Sequence, residues 1–143
     1  MDATVLIVFT HAAATVAMSG VIWFVQVVHY PLFGRVGKSG FADYETAHAR
    51  LTSRVVVPLM LIEAVTAVAL SFQLPDQPLV WWGLALLVVI WASTFVVQVP
   101  LHRRLESGFD ASVHRRLVNT NWVRTVAWTA RGAIALVLLP TVM

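Results

Sequence analysis

The segment Leu117-Val-Asn-Thr-Asn121-Trp-Val-Arg124-Thr-Val-Ala-Trp128-Thr-Ala-Arg131-Gly-Ala-Ile-Ala-Leu-Val-Leu-Leu-Pro140 decides how this chain folds. It is long and apolar enough to cross a bilayer, which takes about 20 residues of helix, yet it carries two arginines. Arg124 and Arg131 are two helical turns apart, so both guanidiniums leave one face, on the order of 10 Å apart along the axis. An arginine at bilayer depth costs at least ~2.5 to 3.5 kcal/mol and turns toward a bundle interior, where a partner or ligand meets it. The segment therefore predicts a helix with a lipid face, packed around an interior that holds polar groups.

The rest of the chain agrees. Of 143 residues, 59% are apolar and 12% charged, and the mean hydropathy is +0.78, whereas soluble domains carry roughly a quarter charged residues. Val5 to Val28, Val55 to Phe72 and Leu79 to Val99 are also long enough to span. A backbone in lipid satisfies its own hydrogen bonds, which makes these segments helices. The expected fold is all-α, an integral membrane four-helix up-down bundle in a single domain over residues 1–143, with helices at about 5–30, 50–73, 79–101 and 117–140. A cleaved leader is not expected, because no basic residue precedes the first span, the only charge there being Asp2, and the apolar run continues to Val28.

The sequence pI near 10.2 would suggest nucleic acid in a soluble protein, but here the positions of the charges decide. Arg35, Lys38, Arg50 and Arg54 surround the first connection, and Arg103, Arg104, Arg115 and Arg116 the third; the second has Asp76 and no base. By the positive-inside rule both basic connections are cytoplasmic and both termini face outward. The expected partners are membrane lipids, through anionic headgroups at the basic rims, and a lipophilic small molecule, with no nucleic acid. Ala12, Ala13, Ala14, Ala17 and Gly20 make a small-residue face that admits a second helix closely, so a homo-oligomer is allowed.

No cysteine is present, which excludes disulfides, thiolate metal sites and CxxC redox chemistry. The polar residues inside the spans fall into stripes. Trp91, Thr94, Gln98 and His102 share one face of the third span, Asn121, Arg124, Trp128 and Arg131 one face of the fourth, and Gln26 shares a face with His29. Glu63 is the one acid at bilayer depth, and counting from the two ends matches it to Arg124 or to Arg131. It reads as half of a structural ion pair, or as a proton carrier, metal ligand or substrate anchor. His29, His48 and His102 fall toward the cytoplasmic end. They read either as interfacial histidines or as a metal or proton-relay site, with Gln26, Gln98 and Asn121 orienting the imidazoles. His11 reads as structural and His114 as solvated. Phe41 to Arg50 reads as an interfacial turn or helix that presents Tyr44 and His48 to the mouth, and Pro58 as a kink.

Gln26-Val-Val-His29-Tyr30-Pro31-Leu-Phe, Phe41-x-x-Tyr44-x-x-x-His48, Pro58 with Glu63, Gln98-x-Pro100-x-His102 and Asn121-Trp122-x-Arg124-Thr125-x-x-Trp128-Thr-x-Arg131 resemble a family of small, uncharacterised bacterial four-helix membrane proteins. That resemblance implies the fold and the bacterial cytoplasmic membrane, and brings no activity with it. More distantly, Val-Pro-Leu-His-Arg-Arg-Leu and the later Arg-Thr are similar to anthrone-oxygenase-like membrane proteins, whose pattern there has Pro-Ile-Asn and a similar Arg-Thr, with His102 standing where that pattern has Asn. The general plan also looks like that of four-helix membrane haem proteins.

These features lead to an expected membrane redox enzyme, oxygenase-like, acting on a lipophilic substrate. Copper or iron, the latter also as haem, would be held by His29, His48 and His102. Glu63 and Arg124 would handle protons or substrate charge, lined by Gln26, Tyr30, Gln98, Asn121, Trp128 and Arg131. The competing readings are a small transporter or anion-binding subunit that uses Arg124, Arg131 and Glu63 without a metal, and a packing subunit of a larger complex.

Overall fold

The computed structural model describes residues 2–143 and consists of four long helices with no strand among the described residues. They are α1 (Ala3–Phe33), α2 (Lys38–Gln73), α3 (Pro78–Leu105) and α4 (Ala111–Val142), each long and apolar enough to cross a membrane. Local chemistry sets their ends. Asp2 caps α1 by accepting from the Thr4 N–H, Pro78 opens α3 where a missing N–H costs nothing, and Asp110 caps α4 by accepting from the Ser112 and Val113 N–H groups. Between α3 and α4 the chain turns through Gly108 at φ 135°, a conformation that only glycine adopts without strain.

Short connections make sequential helices antiparallel neighbours. α1 packs against α2 and α4, and α4 against α3, while the diagonal pairs meet only through their side chains. The α2–α3 seam is the loosest of the four. Three apolar layers fill the interior, one around Val8, Leu70 and Leu138, a middle one around Met18, Ile90 and Trp128, and one around Phe33, Phe41 and Leu105. The outside is apolar as well: Val65, Val88, Val96 and Val126 are 63 to 74% exposed. An apolar exterior around a bundle whose polar groups lie inside inverts the soluble pattern and suits lipid.

The helices run further toward the basic end than the apolar windows suggested. Phe41 to Arg50 is not a separate interfacial piece but the first turns of the continuous helix Phe41–Gln73. Pro58 lies inside that helix without ending it; its lost N–H leaves the Arg54 carbonyl without its usual partner. The departures from α geometry occur elsewhere. Val25–His29 and Ser93–Gln98 are π-helical, and each ends within two residues of a proline, Pro31 and Pro100. The Tyr30 N–H reaches back to the Val25 carbonyl and the Val99 N–H to the Thr94 carbonyl. Widening the turn here relieves the clash between a proline ring and the carbonyl four residues earlier. The small-residue face also divides. Ala12 and Ala14 point inward, while Ala13, Ala17 and Gly20 face outward. The close approach of α1 to α4 is instead at Ser19, whose hydroxyl lies 2.9 Å from the Trp128 carbonyl, opposite Gly132.

Candidate active site

The π turn of α1 and the residues just after it, the first turns of α2 and the end of α3 bring seven polar or aromatic side chains together at the basic end. His102 Nδ1 pairs with a Glu45 carboxylate oxygen. A carboxylate only accepts, so Nδ1 carries the proton in this pair, and in the neutral imidazole Nε2 is left to accept. The Tyr30 hydroxyl stands 2.8 Å from that Nε2. The result is a chain Glu45–His102–Tyr30 in which the phenol proton points at an imidazole whose far side is anchored by an acid. Beside it, His29 Nε2 and His48 Nδ1 are 2.7 Å apart, one donating and one accepting. Thr52 lies 3.1 Å from the same His48 nitrogen, and Phe33 packs edge-on against both rings.

Sequence reading placed His29, His48 and His102 in one cluster, and the structure brings them there; the His48 and His102 ring centroids are 5.4 Å apart. Their nitrogens, however, face one another, Glu45 and Tyr30. Among the described residues no group of three or more His, Cys, Asp or Glu side chains is arranged to hold a metal ion. His114, expected to be solvated, is half-buried and donates from Nε2 to the Tyr30 carbonyl at 2.7 Å. That carbonyl is near the π turn, where the backbone ladder is disturbed.

The amides form the expected layer but do not orient the imidazoles. Asn121 donates to the Gln26 side-chain oxygen at 2.8 Å, Gln26 donates to the Val118 carbonyl, and Gln98 donates to Thr120 at 2.9 Å. Each bond ties α1 or α3 to α4. Glu45 orients His102 instead, and sequence reading missed it. The signal was present: Phe41, Tyr44, Glu45 and His48 recur at helical spacing, so once this stretch is one helix, Glu45 lies on the face of His48.

Between α2 and α3 lies a cavity of about 340 Å³. Met18, Ile22, Val56, Met60 and Phe95 give it apolar walls, and Tyr30, His48, Gln98, His102 and Arg124 give it a polar side. Ser53, Val57 and Phe95 are exposed at its seam, and Arg103 and Glu106 mark its end nearest the basic rim. Arg124 is 7% exposed, its guanidinium carbon 5.2 Å from the Trp128 ring centroid, with the Tyr30 hydroxyl as a polar neighbour.

A second polar network lies toward the termini and settles the partner of Glu63. Glu63 and Arg131, 0% and 1% exposed, pair at 3.4 Å. Trp128 Nε1 donates to the other Glu63 oxygen at 2.9 Å, and Arg131 donates to the Gly83 carbonyl. Thr66 spends its hydroxyl proton on the Ile62 carbonyl, so His11 Nδ1, 2.8 Å away, is the donor to Thr66. Neither Glu63 nor Arg131 lines the cavity. Comparison with protein-family models, curated proteins and solved structures finds no match to this chain.

Proposed function

We propose that the protein is a multi-pass enzyme of the bacterial cytoplasmic membrane, with both termini outside, that exchanges a proton with a lipophilic small molecule admitted between α2 and α3. The observation that carries this reading is the Glu45–His102–Tyr30 chain ending at an apolar cavity. Acid–base catalysis needs a positioned proton and an anchored partner that stabilises the charge left behind. Tyr30 offers the proton, His102 takes or returns it, and Glu45 holds the imidazole in the tautomer that does so and balances the imidazolium. The apolar walls fit a substrate that partitions into lipid, and the loose seam gives it a lateral entrance. The proposal keeps the lipophilic substrate and proton handling of the oxygenase-like expectation, and assigns the imidazoles to proton transfer in place of metal ligation.

The test uses a long-chain alkyl nitrophenol, whose phenolate absorbs visibly, and protein in phosphatidylcholine nanodiscs. One bound probe per chain is expected, with its ionisation after a pH jump slowed at least tenfold by Tyr30→Phe and by His102→Gln, and unchanged by Ser107→Ala. No binding removes the cavity reading; binding with unaltered exchange rates in both variants removes the relay. Metal content and the absorption spectrum of the same preparation decide the metal-dependent version. Stoichiometric copper, iron or haem that is lost in His29→Ala would restore it and displace the present assignment.

A further inference from the structure

Resting on the proposed cavity, we infer that its occupant is a single-tailed lipophilic monoanion, its head seated at Arg124. The two buried arginines have different circumstances. The Nε of each is buried without a partner, but Arg131 has Glu63 and a backbone carbonyl, while among the described residues no carboxylate pairs with Arg124. Its neighbours, the Trp128 ring and the Tyr30 hydroxyl, are neutral. A buried cation without a counter-charge is strongly unfavourable, and this one borders a cavity open at one seam. An anionic ligand supplies the missing charge.

Charge, size and depth narrow the class. One unpaired guanidinium and one phenol match a single negative charge better than two. At roughly 30 Å³ for each water-sized group, a cavity of about 340 Å³ holds on the order of ten non-hydrogen atoms, enough for a compact head and the start of one chain. Arg124 lies eight residues inside Arg116, on the order of 12 Å along the helix, so a head that reaches it is drawn below the basic rim. Its tail then leaves past Val57 and Phe95, which are exposed at the seam. The seat also places the ligand's anionic oxygen beside Tyr30, where the proton chain ends.

The test measures binding of radiolabelled dodecanoate and dodecanol to the protein in phosphatidylcholine nanodiscs, with empty discs subtracted. One dodecanoate per chain is expected, bound at least tenfold more tightly than dodecanol. Arg124→Gln should abolish that preference and Arg124→Lys should keep part of it. Equal affinity for acid and alcohol in the unaltered protein overturns the anionic seat while leaving the cavity standing; failure of both ligands to bind overturns the cavity reading as well. If phosphatidylglycerol in the disc displaces dodecanoate, the anionic seat takes a two-tailed phospholipid and the single-tailed assignment is overturned; if it does not, the occupant is a free lipophilic acid, as proposed. The comparison of acid with alcohol needs no variant, so it stands even if Arg124→Gln does not fold.

Discussion

Glu63 shows how a buried charge constrains its neighbours. Both of its oxygens are used, one by Arg131 and one by Trp128, and a change that removes only the acid leaves a cation inside the bundle. Glu63→Ala should therefore destabilise by about 3 to 5 kcal/mol, the usual cost of half-removing a buried pair. Joint replacement with Met at positions 63 and 131 should cost clearly less. Thermal unfolding in one detergent checks this, and equal losses in both proteins would show that the pair contributes no direct interaction. Spacing had placed Arg124 and Arg131 on one inward face and left Glu63 between them. The pairing itself depends on which helices meet and at what height. Glu63 reaches Arg131 from α2 on the opposite corner of the bundle, a distance no count along one helix contains.

At the scale of elements, the helix ends are the parts that respond to solvent. The Asp110 carboxylate accepts from the Ser112 hydroxyl and from the Val113 and Ser112 N–H groups, and these bonds hold its pKa below the usual carboxylate range. A carboxyl whose folded pKa is depressed stabilises the fold above its unfolded pKa, and that contribution disappears as pH falls through the folded value. Asp110→Asn keeps an N-cap that does not titrate. It should flatten the acid limb of the stability curve, measured as the melting temperature from neutral pH down to the acid range; an unchanged limb would show that the cap does not contribute. The two π turns belong to this scale too. Pro31 and Pro100 announce a disturbed helix, but a proline can also kink, end or cap one. Packing at this end selects the widened turns that aim Tyr30 and His102 at each other.

At the scale of the whole molecule, the eight bases outside the interior lie at one end, all beyond the spans or at their rims. The absence of cysteine makes topology directly measurable. Asp76→Cys should react with an impermeant maleimide from outside intact cells, and Ser107→Cys only after the membrane is opened; the reverse pattern would invert the proposed orientation. Composition, the long apolar windows and the placement of the bases suffice to predict four helices and the end where polar groups gather, because helix formation in lipid and charge asymmetry depend on residues close in sequence. The polar stripes were legible for the same reason. Four helices can still meet with many relative heights and rotations. The tertiary structure alone decides that Glu45 anchors His102, that Arg131 takes Glu63 while Arg124 faces the cavity, and that the loose seam opens between α2 and α3. Each of these is a contact between residues far apart in the chain, set by how side chains of different volume fill a shared interior.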